Sequence, residues 1–139
     1  MGAWSHEPFG NDQACDWAAE LAESSGFTII EKAFDQVIAD QHEEFIDADA
    51  ACEAHAAAEV LAQILGQGTE NLDFLEDMGG WIEKLAAQPA AALIQKALNA
   101  LNILTQENSE LNELWQESGN YAEWTQNIDA LKGILKSRL

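Results

Sequence analysis

The chain has 139 residues, 47% of them hydrophobic, which is enough for one domain (1–139) with its own core and no covalent staple. Its 25 acidic residues against 6 basic ones give a formal charge of −19, which excludes binding to nucleic acid phosphates or anionic membrane surfaces and fits either a cationic partner or solubility in a saline habitat. No apolar run is long enough to span a bilayer.

Residues 1–10 hold Trp4, Pro8 and Phe9 before any helical period begins. They read as an extended arm, with Trp4 and Phe9 buried as anchors against the helices. Asn11 or Asp12 then caps a first helix whose apolar face is Ala14, Trp17, Ala18 and Leu21, ended by Ser24-Ser25-Gly26. Asp12 and Asp16, four apart, share one side of its first turn and are expected to accept hydrogen bonds from backbone N–H groups of the arm, or else to line a small ligand or cation site.

Thr28-Ile29-Ile30-Glu31 has the form of a capping box and opens a second helix with the stripe Ile29, Ile30, Ala33, Phe34, Val37 and Ile38. An acidic, irregular segment follows from Asp40 to Asp49, with Phe45-Ile46 as its apolar content. From about Ala50 to Leu65 an alanine-rich helix is predicted, small enough in cross-section to sit centrally among its neighbours. A fourth helix between Leu72 and Ala87 starts at Asp73-Phe74-Leu75-Glu76 and is weakened by Gly79-Gly80, giving two short pieces. Pro89 suits the first turn of a fifth helix lined by Leu93, Ile94, Ala97, Leu98, Leu101 and Leu104. Ser109–Glu117 forms a short helix with Leu111, Leu114 and Trp115 inward. The last helix starts at Asn120-Tyr121-Ala122-Glu123 and carries Trp124, Ile128, Leu131 and Leu135. Strand-like alternation is lacking, so the predicted fold is all-α: a compact single-domain bundle of about six or seven short to medium helices with the arm packed on it.

Three kinds of chemistry can be weighed. Hard-oxygen and imidazole donors gather between residues 40 and 55; His42, Glu43 and Asp47 are the candidate metal ligands, and His55 with Glu59 four residues on shares a helix face. The spacing matches no known site, and a solvated acidic loop explains the run equally. Cys15 and Cys52 lie among carboxylates, which raise a thiol pKa and oppose nucleophilic use. The opening residues lack the basic and apolar regions of a secretory signal, so reduced thiols and a cytoplasmic location are expected. The large aromatics Trp4, Phe9, Trp17, Trp81, Trp115 and Trp124 fit a helical core, with a binding surface as the rival use.

The opening Met1-Gly2-Ala3-Trp4, with Pro8-Phe9, Asn11-Asp12, Ala14 and Asp16-Trp17, resembles the start of a bacterial family known as domain of unknown function 4259. The resemblance continues through Ala56–Ala62 and Ser109–Ser118. The chain departs from the family pattern at Ser5 and Glu7, where glycine is more frequent, and at Gly10, where an acidic residue is. The resemblance implies a small, soluble, helical bacterial protein and assigns no catalytic residue. Taken together, the sequence predicts a non-enzymatic protein without a cofactor. It binds a basic protein partner, in the manner of an immunity protein or antitoxin, through Trp4, Phe9, Asp12 and Asp16. The alternative is a divalent-metal or small-ligand site in residues 40–55.

Overall fold

Alanine decides the middle of this protein. In a computed structural model, which describes residues 3–85 and 87–139, helix α3 (Ala48–Ile64) is buried on almost every side from Ala54 to Ala62. A helix enclosed all round belongs to a core, and small side chains let its neighbours approach closely. Around it pack α1 (Asp12–Ala22), α2 (Thr28–Asp40), α5 (Ala91–Leu104), α6 (Glu110–Ser118) and α7 (Tyr121–Lys136), while the short α4 (Met78–Glu83) rests on α1. The described residues contain these seven helices and two isolated bridges but no strand. The expected faces are the buried ones: Ala14, Trp17, Ala18 and Leu21 of α1, Ile30, Ala33, Phe34 and Val37 of α2, and Trp124, Ile128, Leu131 and Leu135 of α7.

Several helix ends differ from expectation. Thr28 is the first helical residue of α2 rather than its cap, and no side chain caps that end. The segment from Asp73 to Asp77 forms turns, so only the piece containing Trp81 and Ile82 is helical. Its position is fixed by Trp81, whose Nε1 donates to the Ser24 carbonyl at 2.9 Å. Pro89 stands before α5 instead of inside it. Leu114 lies at the edge of the α6 stripe and is 36% exposed, whereas Leu111 and Trp115, one turn apart, point inward. Arg138, just beyond α7, serves the end of another helix: its Nη2 donates to the Leu65 carbonyl at 2.8 Å, at the C-terminus of α3.

The arm packs on the bundle through Phe9, which is fully buried, but it is folded back rather than straight. Trp4 N and Ser5 N both donate to the Gly10 carbonyl, at 2.8 and 3.2 Å, and Gly10 N donates to Glu7 O at 2.9 Å. The departures at Ser5 and Glu7 are harmless, since neither takes a positive φ. Gly10 is the constrained position: a Cβ there would overlap the Ser5 hydroxyl and lie 2.7 Å from the Ser5 carbonyl oxygen. Gly10→Ala is therefore expected to cost about 1–3 kcal/mol, as overpacking against backbone does, measured by urea unfolding.

Candidate functional site

Two features meet at this loop: a buried polar network behind it and an aromatic surface in front of it. The network starts at Glu59, fully buried in the apolar middle of α3. A carboxylate taken out of water must find donors. It finds Thr69 N at 2.9 Å, the Thr69 hydroxyl, and Gln63 Nε2 at 2.7 Å. Thr69 sits on the loop after α3, which passes so close that a Cβ on Gly68 would meet the Gln63 amide and stand 2.7 Å from Glu59 Oε2. Asn127 of α7 donates from Nδ2 to Thr69 Oγ1 at 2.9 Å, so its Oδ1 accepts from His55 Nε2 at 2.7 Å, and the imidazole is the Nε2–H tautomer. Burial pulls the His55 imidazole down to about 4, against the hydrogen bond it donates to Asn127 and with a smaller downward contribution from His6. Burial pushes the Glu59 carboxyl up, against its hydrogen bonds from Thr69 and Gln63. His55, Glu59 and Gln63 thus form one stripe of α3, each four residues from the next.

The network reaches the loop through Glu70. Gln63 Nε2 also donates to the Glu70 carbonyl at 2.7 Å, and Glu70 Oε1 accepts from Phe9 N at 3.0 Å. Burial pushes the Glu70 carboxyl up to about 7, with Glu7 and Glu59 adding to it and the Phe9 N–H opposing. An aromatic path runs beside it: His55 meets Trp124 edge-on at 6.4 Å, and Trp124 lies near-parallel to Trp115 at 6.4 Å. Tyr121, whose hydroxyl donates to Asn112 Oδ1 at 2.7 Å, closes on Trp124 at 5.9 Å.

In front of this frame stands Trp4, 61% exposed. It walls two open clefts. One, of about 380 Å³, runs between Trp4, Leu114 and Trp115. The other, of about 370 Å³, is lined by Trp4, Ser5, Glu7, Glu70, Asn71 and Phe74, with Phe74 53% exposed. Exposed large apolar groups that cluster carry more information than scattered ones.

The expected site residues are distributed as follows. Phe9 is the buried anchor; Trp4 is not, its ring facing outward while its backbone N–H closes the loop on Gly10. Asp12 and Asp16 lie exposed, opposite the buried face of α1, and accept no bond from the described residues of the arm. Asn11 takes the cap, accepting from Ala14 N at 2.8 Å, and among the described residues the bonded N–H groups of the arm go to Gly10, Glu7, Ser5 and Glu70. Among the described residues no three His, Cys, Asp or Glu side chains are placed to hold a metal ion, so His42, Glu43 and Asp47 are not brought together. His42 and Glu43 point to solvent, and Asp47 caps α3 by accepting from Asp49 N at 3.0 Å. The acidic loop is instead clasped by Asn108, whose Nδ2 donates to the carbonyls of Gln41 and Glu43, both at 3.0 Å. Its Ile46 is fully buried, and Phe45 is 60% exposed. Cys15 and Cys52 are free thiols. Burial raises both, Cys52 to about 12, with neighbouring carboxylates in the same direction.

A family model described as Domain of unknown function (DUF4259) matches residues 2–127. The chain belongs to this DUF4259 family. No curated protein and no solved structure matches it. The span matched to DUF4259 contains both clefts and the whole network, from Trp4 to Asn127. Met1 and Gly2 of the opening motif lie outside the described residues. Sequence reading reached His55, Glu59 and Trp4 but missed Thr69, Glu70, Phe74 and Asn127. These come from loops and from a helix distant in sequence, and no local period marks them. No helix among the described residues is long and apolar enough to cross a membrane.

Proposed function

We propose that this protein is a non-enzymatic binding protein that captures a basic protein partner on the Trp4 surface, in the manner of an immunity protein or antitoxin. The observation that carries the reading is Trp4 itself, held 61% exposed at the tip of a tightly closed loop. Tryptophan in a rigid setting makes an effective anchor, because little conformational freedom is lost when a partner covers it. Charge favours a cationic target. The formal charge is −19, and among the described residues only Lys96 forms ion pairs, with Glu31 and Asp35. The remaining field draws a basic protein towards the clefts and speeds its association. The buried titratable groups support a non-catalytic reading: His55 and Glu59 bond to Asn127, Thr69 and Gln63 and line neither cleft.

Co-expression with candidate cationic proteins, followed by titration of the purified pair, tests this. Trp4→Ala is expected to weaken binding at least about thirtyfold, the lower bound for truncating a central anchor. It should move the melting temperature by less than about 2 °C, because the ring contributes little to the core. Affinity should also fall as salt rises. A partner that is acidic, or one indifferent to Trp4→Ala, sinks the reading.

A further inference from the structure

The cleft between Trp4 and Phe74 combines aromatic walls with an uncompensated pair of carboxylates. Glu70 is half-buried there, with one oxygen on Phe9 N at 3.0 Å. Every titratable group known to act on it is acidic: Glu7 from the loop and Glu59 from α3, while the Cys15 thiol of α1 feels its charge in turn. No Lys or Arg among the described residues pairs with Glu70 or Glu7. The carboxyl is accordingly pushed up to about 7. The same cleft is lined by two exposed aromatic side chains, Trp4 at 61% and Phe74 at 53%. An open space of about 370 Å³ lies among these residues. A planar cation suits such a place, because a guanidinium stacks on an aromatic face while its N–H fork engages a carboxylate.

We propose that this cleft receives one arginine side chain of the basic partner, its guanidinium set between Trp4 and Phe74 with Glu70 and Glu7 as counter-charges. The inference rests on the partner-binding reading and adds the chemistry of the contact. The second cleft, bounded by Leu114 and Trp115, has an apolar edge and takes neighbouring aliphatic residues of the same partner.

The test uses N-acetyl-arginine amide as the probe on the full chain, with the neutral citrulline analogue for comparison, followed by NMR and calorimetry near pH 7. The arginine compound is expected to shift the Trp4 indole N–H and the Phe74 ring signals saturably, and the citrulline compound to leave them in place. Binding should release about half a proton, seen as a heat that depends on the buffer, because a cation beside Glu70 favours its charged form. Trp4→Ala and Phe74→Ala should each weaken the probe at least fivefold. Glu70→Gln should abolish the proton release, and Glu7→Gln, which leaves the Phe9 contact intact, should weaken binding while keeping it. Equal binding of the two compounds, or unsaturable shifts spread over many acidic residues, overturns the proposal. If a purified partner still depends on Trp4 while the arginine probe fails, the guanidinium site is wrong and the partner surface stands. If the probe binds and no partner uses Trp4, the partner reading fails instead.

Discussion

Glu59→Ala should cost on the order of 3–5 kcal/mol, a large share of what a domain of this size has to lose. The reason is the set of donors left behind. Thr69 N–H, the Thr69 hydroxyl and the Gln63 amide all point at this carboxylate, and Glu59 itself is fully buried. Each orphaned buried donor costs about 1–3 kcal/mol, and the relief from no longer burying a carboxylate offsets only part of that. Alanine's better helix propensity recovers only a few tenths of a kcal/mol, and the lost methylenes leave a void between α3 and the loop. Glu59→Gln keeps the volume and one acceptor and should cost about 1–2 kcal/mol. Thr69→Val in the Glu59→Leu background should not rescue the fold, since the Thr69 N–H still lacks an acceptor. Urea unfolding of the parent and the four variants decides the ranking, and hydrogen exchange at the Thr69 amide reports the local contact. A Glu59→Leu protein as stable as the parent would mean that the desolvation cost outweighs the network, as happens for some buried charges.

Glu59 also shows where the sequence is legible and where it is not. The helices were readable because their apolar positions recur with a period that burial requires, and α3 was recognisable as central from its alanines alone. Both properties are local. The pairing of His55 with Glu59 on one face was readable for the same reason. The rest of the network was not, because Thr69, Glu70 and Asn127 are ordinary polar residues whose role exists only once α7 and the loop after α3 close on Glu59. Trp4 fails differently. Tryptophan is usually buried, and nothing in the residues around it announces that Gly10 will take the backbone N–H groups of Trp4 and Ser5 and turn the ring outward. Capping was read unevenly. Asn11 caps as expected, accepting from Ala14 N; Ser109, placed by the sequence inside its helix, caps it instead by accepting from Asn112 N; and Thr28 begins a helix without capping it. A capping residue type is necessary for the motif, but the approach of the preceding chain decides whether it is used.

The same network makes stability depend on pH in a way that two substitutions can separate. His55 has its imidazole pulled down from 6.5 to about 4, so the folded state binds fewer protons than the unfolded state between those values. Its contribution is complete above 6.5 and is lost as pH falls towards 4. Glu70 has its carboxyl pushed up from 4.5 to about 7, so the folded state binds more protons across that range. That contribution is complete below 4.5 and is lost as pH rises through about 7. Glu53 and Glu59, raised chiefly by burial, act in the same sense as Glu70. The two windows overlap between 4.5 and 6.5, where the His55 effect opposes that of the carboxyl groups, so the pH dependence of the parent protein is expected to be flatter there than either effect alone would make it. His55→Gln, which retains a donor for Asn127, removes the acid limb: stability should then rise steadily on acidification from pH 7.5 to 4.5. The difference in unfolding free energy between parent and His55→Gln should change by about 3 kcal/mol between pH 7.5 and 3.5, the linkage value for a fully buried imidazole displaced this far. Glu70→Gln should do the reverse and flatten the neutral limb, by less, because that carboxyl is half exposed and screened by solvent. Parallel stability curves for parent and His55→Gln would show that the imidazole is not held neutral by burial, and the placement of His55 within the network would then be wrong.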